Sequence, residues 1–461
     1  MRKIKHSMVT VLVCGLFSSP LIQAETVEFK QAWDRVLVNS DELAAQKANI
    51  NRSEHLQDAA RDLYLPSIGL SAMYTRLDDD VTLSASEFAD STPIGGEMLK
   101  GLDHLLTSTI TDRNIFTTSI RAIWPIFTGG RISAAQDIAE GKKEEAESLL
   151  GMKQQAKFED LAKYYFSVVL AKDVFATYQE VEDGLQKHRD FALRLEEQGQ
   201  IAKVERLQAE ASLDKAKVDR KKAQRDLEIA QVALTKLIKA EGGVLPSTPL
   251  FINHSLPEMQ AFIDKTLSTY PGLAMLDAKH KQASNLIKAE KGKYYPEVYL
   301  YGNYNLHEDD SLASAVAPDW MVGVGVNVPL VDTSGRSGKV KAAHSAVLQV
   351  NHLRAQAEQD LTVLVEKTYR EANQAIEEYQ GLSSSLALAS ENVRLREKAF
   401  RQGLSTSLDV VDAELYLASV KTQRLAASFN YVISLSKLLA ISNEMNSFSQ
   451  YQYDAQVKVK S

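Results

Sequence analysis

Few residue types in this 461-residue sequence could do chemistry, and those few are scattered. Of the nine histidines, His344 and His352 lie two helical turns apart with no carboxylate at metal-ligand spacing. They read as surface histidines, not a metal site. Gly129-Gly130 and Gly335 resemble fragments of phosphate-binding loops, but no Lys-Ser/Thr follows. A flexible crossover from strand to helix is the better reading. The one cysteine, Cys14, falls in a leader-like segment, so the mature chain offers neither a disulfide nor a thiolate. Asp409 and Asp412 are the sharper pair, because at a spacing of three they share one helix face. A shared face lets the two carboxylates act together. They could equally be a solvated face, with Asp409 as a favourable first-turn carboxylate. No enzyme signature and no cofactor motif emerges.

Composition narrows the classes further. Lysine plus arginine number 53 against 60 acidic residues, a net charge of −7 that repels phosphate backbones and argues against nucleic-acid binding. Arg2, Lys3 and Lys5 precede an apolar run, Met8 to Phe17, and Leu21-Ile22-Gln23-Ala24 ends on a small residue. Residues 1–24 therefore read as a secretory signal peptide. A lipoprotein acylated at Cys14 is the weaker alternative, since Val13 is bulky and the apolar run continues past it. After the signal no stretch reaches the ~18 apolar residues of a spanning helix, so an exported product is either soluble or a β-barrel.

The elements that must position these residues are marked by proline. Two proline-free spans of about 120 and 130 residues, Pro125 to Pro246 and Pro329 onward, are rich in Ala, Gln, Glu, Lys and Leu and predict long helices. In the second, Leu382, Leu386, Ala389, Val393 and Phe400, then Leu408, Val411, Leu415, Ala418, Leu425, Phe429, Val432 and Leu439, follow a three-four seam. Arg396, Thr422 and Ser436 interrupt it, and a break at Gly403 to Ser407 predicts a hairpin. Short alternating runs predict four strands. Val322, Val324 and Val326 share one face of a strand, and Ile68, Leu70, Ala72 and Tyr74 share one face of another. Val298, Leu300, Gly302 and Tyr304 do so in a third. Phe116 to Pro125 alternates less cleanly, with Arg121 on the polar side.

Comparing the halves exposes a duplication. Gln198-Gly199 through Ala209-Glu210 superposes on Gln402-Gly403 through Ala413-Glu414, and the same offset places Pro125 on Pro329. Tyr64-Leu65-Pro66 matches Tyr294-Tyr295-Pro296. The length difference falls between the paired strands, so the first loop, Arg76 to Asn114, is the longer. The organisation expected is a signal at 1–24 and a first repeat at 25–240, with strands near 66–76 and 115–128 and a helical hairpin at 131–240. A linker at 241–256 leads to a second repeat at 257–447, with strands near 296–306 and 320–331 and a hairpin at 336–447. A tail, 448–461, follows.

The chain resembles a TolC-type outer membrane factor over essentially the whole mature length. The resemblance is carried by the duplicated Tyr-x-Pro before a strand, by Trp124-Pro125-Ile126-Phe127-Thr128-Gly129-Gly130-Arg131 with its partner Pro329 to Arg336, and by the duplicated Gln-Gly turn. Four strands cannot close a barrel in lipid, so closure needs further copies, and three would supply twelve strands. The resemblance implies that trimer. It implies a fold that is mainly α with a small β-barrel portion, a duplicated helix-strand-strand-helix-helix repeat, and a long periplasmic α-helical barrel. Aromatics such as Tyr64, Trp124 and Tyr294 at one end of the strands, and Tyr74, Phe116 and Trp320 at the other, suit two girdles.

In function, the resemblance implies an exit duct in the outer membrane lipid, serving a tripartite efflux pump or type I secretion system. Its partners would be a periplasmic adaptor and an inner-membrane transporter. It implies an aperture lined by Asp409 and Asp412, with Glu205 and Gln208 as first-repeat equivalents. Adaptor-docking tips are implied at Gly199, Gln200, Ile201, Ala202 and Lys203, and at Gly403, Leu404, Ser405, Thr406 and Ser407. Phe400 and Ser405 depart from the Tyr and Arg that close the best-known member, which puts a latch of that kind in doubt. A periplasmic coiled-coil scaffold or adaptor is the rival reading; it explains the helices but not the strands.

Overall fold

The computed structural model describes residues 25–84, 105, 107–309, 314, 318–331 and 333–459; the expected signal segment lies outside them. In chain order the first half holds β1 Glu25–Val27, α1 Phe29–Asn39, α2 Asp41–Arg61, β2 Ser67–Arg76, β3 Val81–Leu83, β4 Ser108–Thr111 and β5 Asn114–Phe127. The long helices α3 Arg131–Glu197 and α4 Lys203–Leu237 complete it. Then come β6 Val244–Pro246, β7 Phe251–Ile252, α5 Met259–Thr269, α6 Pro271–Gly292, β8 Glu297–Glu308 and β9 Trp320–Asn327. The second half ends with α7 Arg336–Arg401, α8 Ser407–Ile441, α9 Phe448–Tyr453 and β10 Val457–Lys458. Each half repeats one order, two short helices, two principal strands and two long helices. At 67 and 66 residues, α3 and α7 each run roughly 100 Å at 1.5 Å per residue.

The chain divides into two units. One comprises Ala45–Met152 and Pro271–Asp360. Its centre is a four-stranded antiparallel sheet in the order β2-β5-β8-β9, so the two expected strand pairs are joined through β5 and β8. The even-numbered residues of the expected strand faces, from Ile68 and Leu70 to Val322 and Val324, form one apolar side that is open to the surroundings; Val322 is 75% exposed. Ser71, Ser119, Arg121, Asn303 and Asn305 carry the polar side, aligned by the pairs Ser71↔Ser119, Arg121↔Asn303 and Ser119↔Asn305. Pro125 lies inside β5, beside a bulge that absorbs its missing donor. The second strand of the second pair stops at Asn327, short of the expected 331, because Pro329 cannot continue a ladder. The long first loop begins and ends as a ribbon, β3 paired with β4, and residues 85–104 and 106 between them lie outside those described.

Where strands give way to helices, Gly129 (φ +64°) passes so close to Gly292 that a Cβ on it would lie 2.3 Å from the Gly292 carbonyl oxygen. The glycine-rich run is a crossover that only glycine fits. Arg131 pairs with Glu297 there, and Arg336 in the second repeat stacks 4.8 Å over the Tyr294 ring.

The other unit gathers the described residues up to Ala44, Lys153–Tyr270 and the described residues from Leu361 onward. At its centre the Phe29 ring, 2% exposed, packs against Phe158, Tyr165, Phe166 and Phe448. Truncating so buried an aromatic typically costs ~3–5 kcal/mol. The Tyr165 hydroxyl donates to the Val27 carbonyl (2.6 Å) and accepts the Thr248 N–H (2.9 Å). The expected linker is thus structured. Within it β6 pairs parallel with β1, and β7 pairs antiparallel with β10 of the expected tail.

The seam read from sequence needs correction along α8. Leu408 and Leu415 are exposed, while Val410, Ala413 and Val420 are buried. Helix α8 packs against α3 and α4 together, through Val181, Leu185, Leu213, Ala216, Val411 and Ala418. Packing against two neighbours keeps Val411, Ala418, Leu425, Val432 and Leu439 of that seam buried and adds Val410, Ala413 and Val420 beside them.

Candidate functional site

Both long hairpins end in the same turn. Gln200 N–H donates to Leu195 O and Gly199 N–H to Glu196 O, both at 2.8 Å. In the second repeat Leu404 N–H donates to Ala399 O at 2.9 Å and Gly403 N–H to Phe400 O at 3.0 Å. These bonds close a helix on a left-handed residue. Gly199 sits at φ +70° and Gly403 at φ +71°, and a Cβ on either would meet nothing within 4 Å. Backbone conformation, not crowding, demands glycine there.

The helices restart differently. Helix α4 opens at Ala202 without a side-chain cap. Helix α8 opens with a capping box: Asp409 N–H donates to Thr406 Oγ1 (3.2 Å), and Thr406 N–H donates back to the Asp409 carboxylate (2.9 Å). The Thr406 and Ser405 hydroxyls donate to the same carboxylate oxygen at 2.8 and 3.0 Å. The Thr406 amide foremost, then the two hydroxyls and Arg396 at 3.3 Å, hold the Asp409 carboxyl below its ordinary range.

A further cap arrives from the first repeat. Ser407 N–H donates to Glu205 Oε2 at 2.6 Å, and Ser407 Oγ is hydrogen-bonded to His188 Nε2 at 2.7 Å. Ser407 therefore joins α8 to both helices of the other hairpin. Burial pushes His188 down to about 4, so its ring is neutral at neutral pH. Phe400 packs among Ala192, Leu195, Ala209 and Val410, its ring 4.5 Å from that of His188. It is a core side chain with no hydroxyl to offer a latch. One turn inward, burial foremost, with Glu397 and Glu180 adding to it against Lys421 and Lys187, pushes the Glu414 carboxyl up to about 7. Helix α3 leaves room for it: a Cβ on Gly184 would lie 2.8 Å from Glu414 Oε1.

Spacing and repeat alignment singled out Asp409, Asp412, Glu205 and Gln208, and the structure puts Asp409 and Glu205 in the first turn, and Asp412 and Gln208 in the second, of α8 and α4. Asp409 and Glu205 are occupied as caps, whereas Asp412 and Gln208 are exposed. Of the expected docking residues, Gly199, Gln200, Ala202, Lys203, Gly403, Leu404 and Thr406 are exposed, and Ile201 and Ser405 are half-buried. Ser407 is 0% exposed and is turned inward, since both its polar groups are used between the hairpins. His188 and Glu414 were not singled out. The available signal for His188 was its place on the buried stripe of α3 between Leu185 and Ala192. His344 and His352 are exposed on α7.

The outer membrane efflux protein family model matches residues 32–239 and 262–444, the two repeats in turn. The chain belongs to the outer membrane efflux protein family. Among members, the outer membrane protein TolC of Vibrio cholerae is 22% identical over 312 residues, covering 66% of this chain and 71% of that protein. The structure of CusC superposes with a TM-score of 0.73 at 15% identity, covering 90% of this chain and 91% of CusC. That of the open state of the MtrE channel of Neisseria gonorrhoeae does so at 0.71 and 20% identity, covering 90% and 89%. At such identities the likeness to these two is one of fold. Membership in this efflux family makes the chain a TolC-type outer membrane factor.

Proposed function

We propose that this chain is a passive exit duct, three copies closing a twelve-stranded barrel in the outer membrane and extending helical hairpins into the periplasm. One observation carries the reading: a four-stranded sheet with one polar and one exposed apolar face, whose outer strands β2 and β9 each pair on one side only among the described residues. In lipid each unpaired backbone group costs several kcal/mol, so the edges need partners, and identical copies supply them. The polar face then lines water and the apolar face meets lipid. Energy comes from an inner-membrane transporter, reached through a periplasmic adaptor that docks at the exposed tips around Gly199 and Gly403. Asp412 and Gln208 line the aperture just inside. A periplasmic scaffold would leave the apolar sheet face in water, against the usual limit on exposed apolar patches.

Membrane extraction and sedimentation test the reading. The protein should leave membranes only with detergent and sediment as a trimer. Release by osmotic shock, or a stable monomer with full strand content, overturns it.

A further inference from the structure

Among Lys, Arg, Asp and Glu in the four principal strands, Arg121 alone lies away from a strand end; Arg76, Glu297 and Glu308 are terminal residues of their strands. Arg121 is exposed on the polar face of β5, paired in register with Gly69 on one side and Asn303 on the other. Gly69 has no side chain to cover it. Glu297, on the same face, is already paired with Arg131. Arg121 makes no ion pair among the described residues. Beside it, Asn303 Oδ1 is buried without a hydrogen-bond partner among them.

The neighbouring aromatics keep this region open. Tyr299 and Tyr301 lean away from β5 and lie over Gly325 and Gly323 of β9; a Cβ on Gly323 would sit 2.6 Å from the Tyr301 hydroxyl. Side chains that stood upright would crowd Arg121. Lying across glycines, they leave an open groove of about 970 Å³ along the polar face, with Arg121 and Asn303 in its lining.

We propose that Arg121 and its copies form a cationic ring inside the barrel that selects organic anions, carboxylates or sulfonates, as they leave. The inference rests on the duct reading, in which the polar face lines the lumen and rotation brings each Arg121 to the same height. A guanidinium there offers a planar fork suited to carboxylate and sulfonate oxygens. Like-charged rings are how pores choose the sign of what passes, and this one is opposite in sign to the Asp412 carboxylates at the tips.

Planar-bilayer recordings in a KCl gradient test this, with wild type, Arg121→Gln and Arg121→Lys. 1,3,6-Naphthalenetrisulfonate, added from the barrel side, serves as the probe anion. Wild type and Arg121→Lys should be blocked alike. Arg121→Gln should shift its reversal potential toward K⁺ and lose block by ~10-fold, the low end of what a charged cleft gains in local counter-ion concentration. Conducting Arg121→Gln pores with wild-type reversal potential and block overturn the ring. So does a wild-type pore that the barrel-side probe leaves unblocked, whatever the variants do. A wild-type protein that forms no pores at all overturns the duct reading itself.

Discussion

At the scale of single residues, His188 and Glu414 give the tip region opposite responses to acid. The folded His188 ring protonates near pH 4, the unfolded one near 6.5. Its contribution to stability is complete above 6.5 and is lost as pH falls toward 4, at most ~3 kcal/mol. Glu414 runs the other way: its folded value of about 7 stands above the ordinary 4.5. Its contribution is complete below 4.5 and is lost as pH rises through 7. Thermal unfolding of the detergent-solubilised protein from pH 4 to 8 should show both. Glu414→Gln should stabilise at pH 8 and do little at pH 4.5. His188→Gln should flatten the decline between 6.5 and 4; an unchanged slope there would mean that the Ser407 contact breaks without reference to the proton. The two aspartates also separate. Asp409→Ala should cost ~1 kcal/mol as a lost cap, read as a lower melting temperature. Asp412→Asn should leave melting alone and weaken divalent-cation block of single-channel current. Spacing made this pair legible, since a fixed helical repeat decides which side chains share a face. His188 and Glu414 were illegible because their chemistry comes from burial between two repeats distant in sequence.

Among elements, the hairpin turns carry the clearest expectation. Forcing an L-residue into the left-handed conformation costs ~1–2 kcal/mol, and neither Gly199 nor Gly403 has neighbours for an added side chain to strike. Gly403→Val should therefore loosen its own turn and leave distant packing unchanged. Hydrogen exchange should quicken at 399–410 and stay constant through β5 and β8; faster exchange in the strands would show that the turn organises more than the tip. The turns were legible because Gln-Gly recurs at matching places in both repeats. The buried stripe of α8 was legible only in part, at Val411, Ala418, Leu425, Val432 and Leu439, because a seam rule assumes one partner and this helix has two. Leu408 and Leu415 obey the rule in sequence and break it in space. The strands were visible by their period of two, but the β5–β8 pairing that makes one sheet from two hairpins leaves no local signature.

At the scale of the whole molecule, the duplication predicts topology. The first loop is longer and acidic, with Asp78, Asp79 and Asp80 at its start, and such a loop suits water and not lipid; in the proposed duct that water is outside the cell. An epitope inserted near Ser91, which lies outside the described residues, should be labelled on intact cells with assembly preserved; labelling only after permeabilisation would invert the duct. The repeats were legible from sequence, while the straps that bind them were not. Strands of two or three residues, such as β6, β7 and β10, are too short to carry a period. Those straps also impose a timetable. The unit around Phe29 draws on three separate stretches of chain, and its ring is covered by Phe448 while β7 waits for β10. Contacts between such distant residues form slowly, because loops must close before they are rewarded. A chain made from its N-terminus has Phe29 in hand long before Phe448, the residue that seals it. That unit therefore stays unfinished, and so pliable, until the last segment of the chain is present.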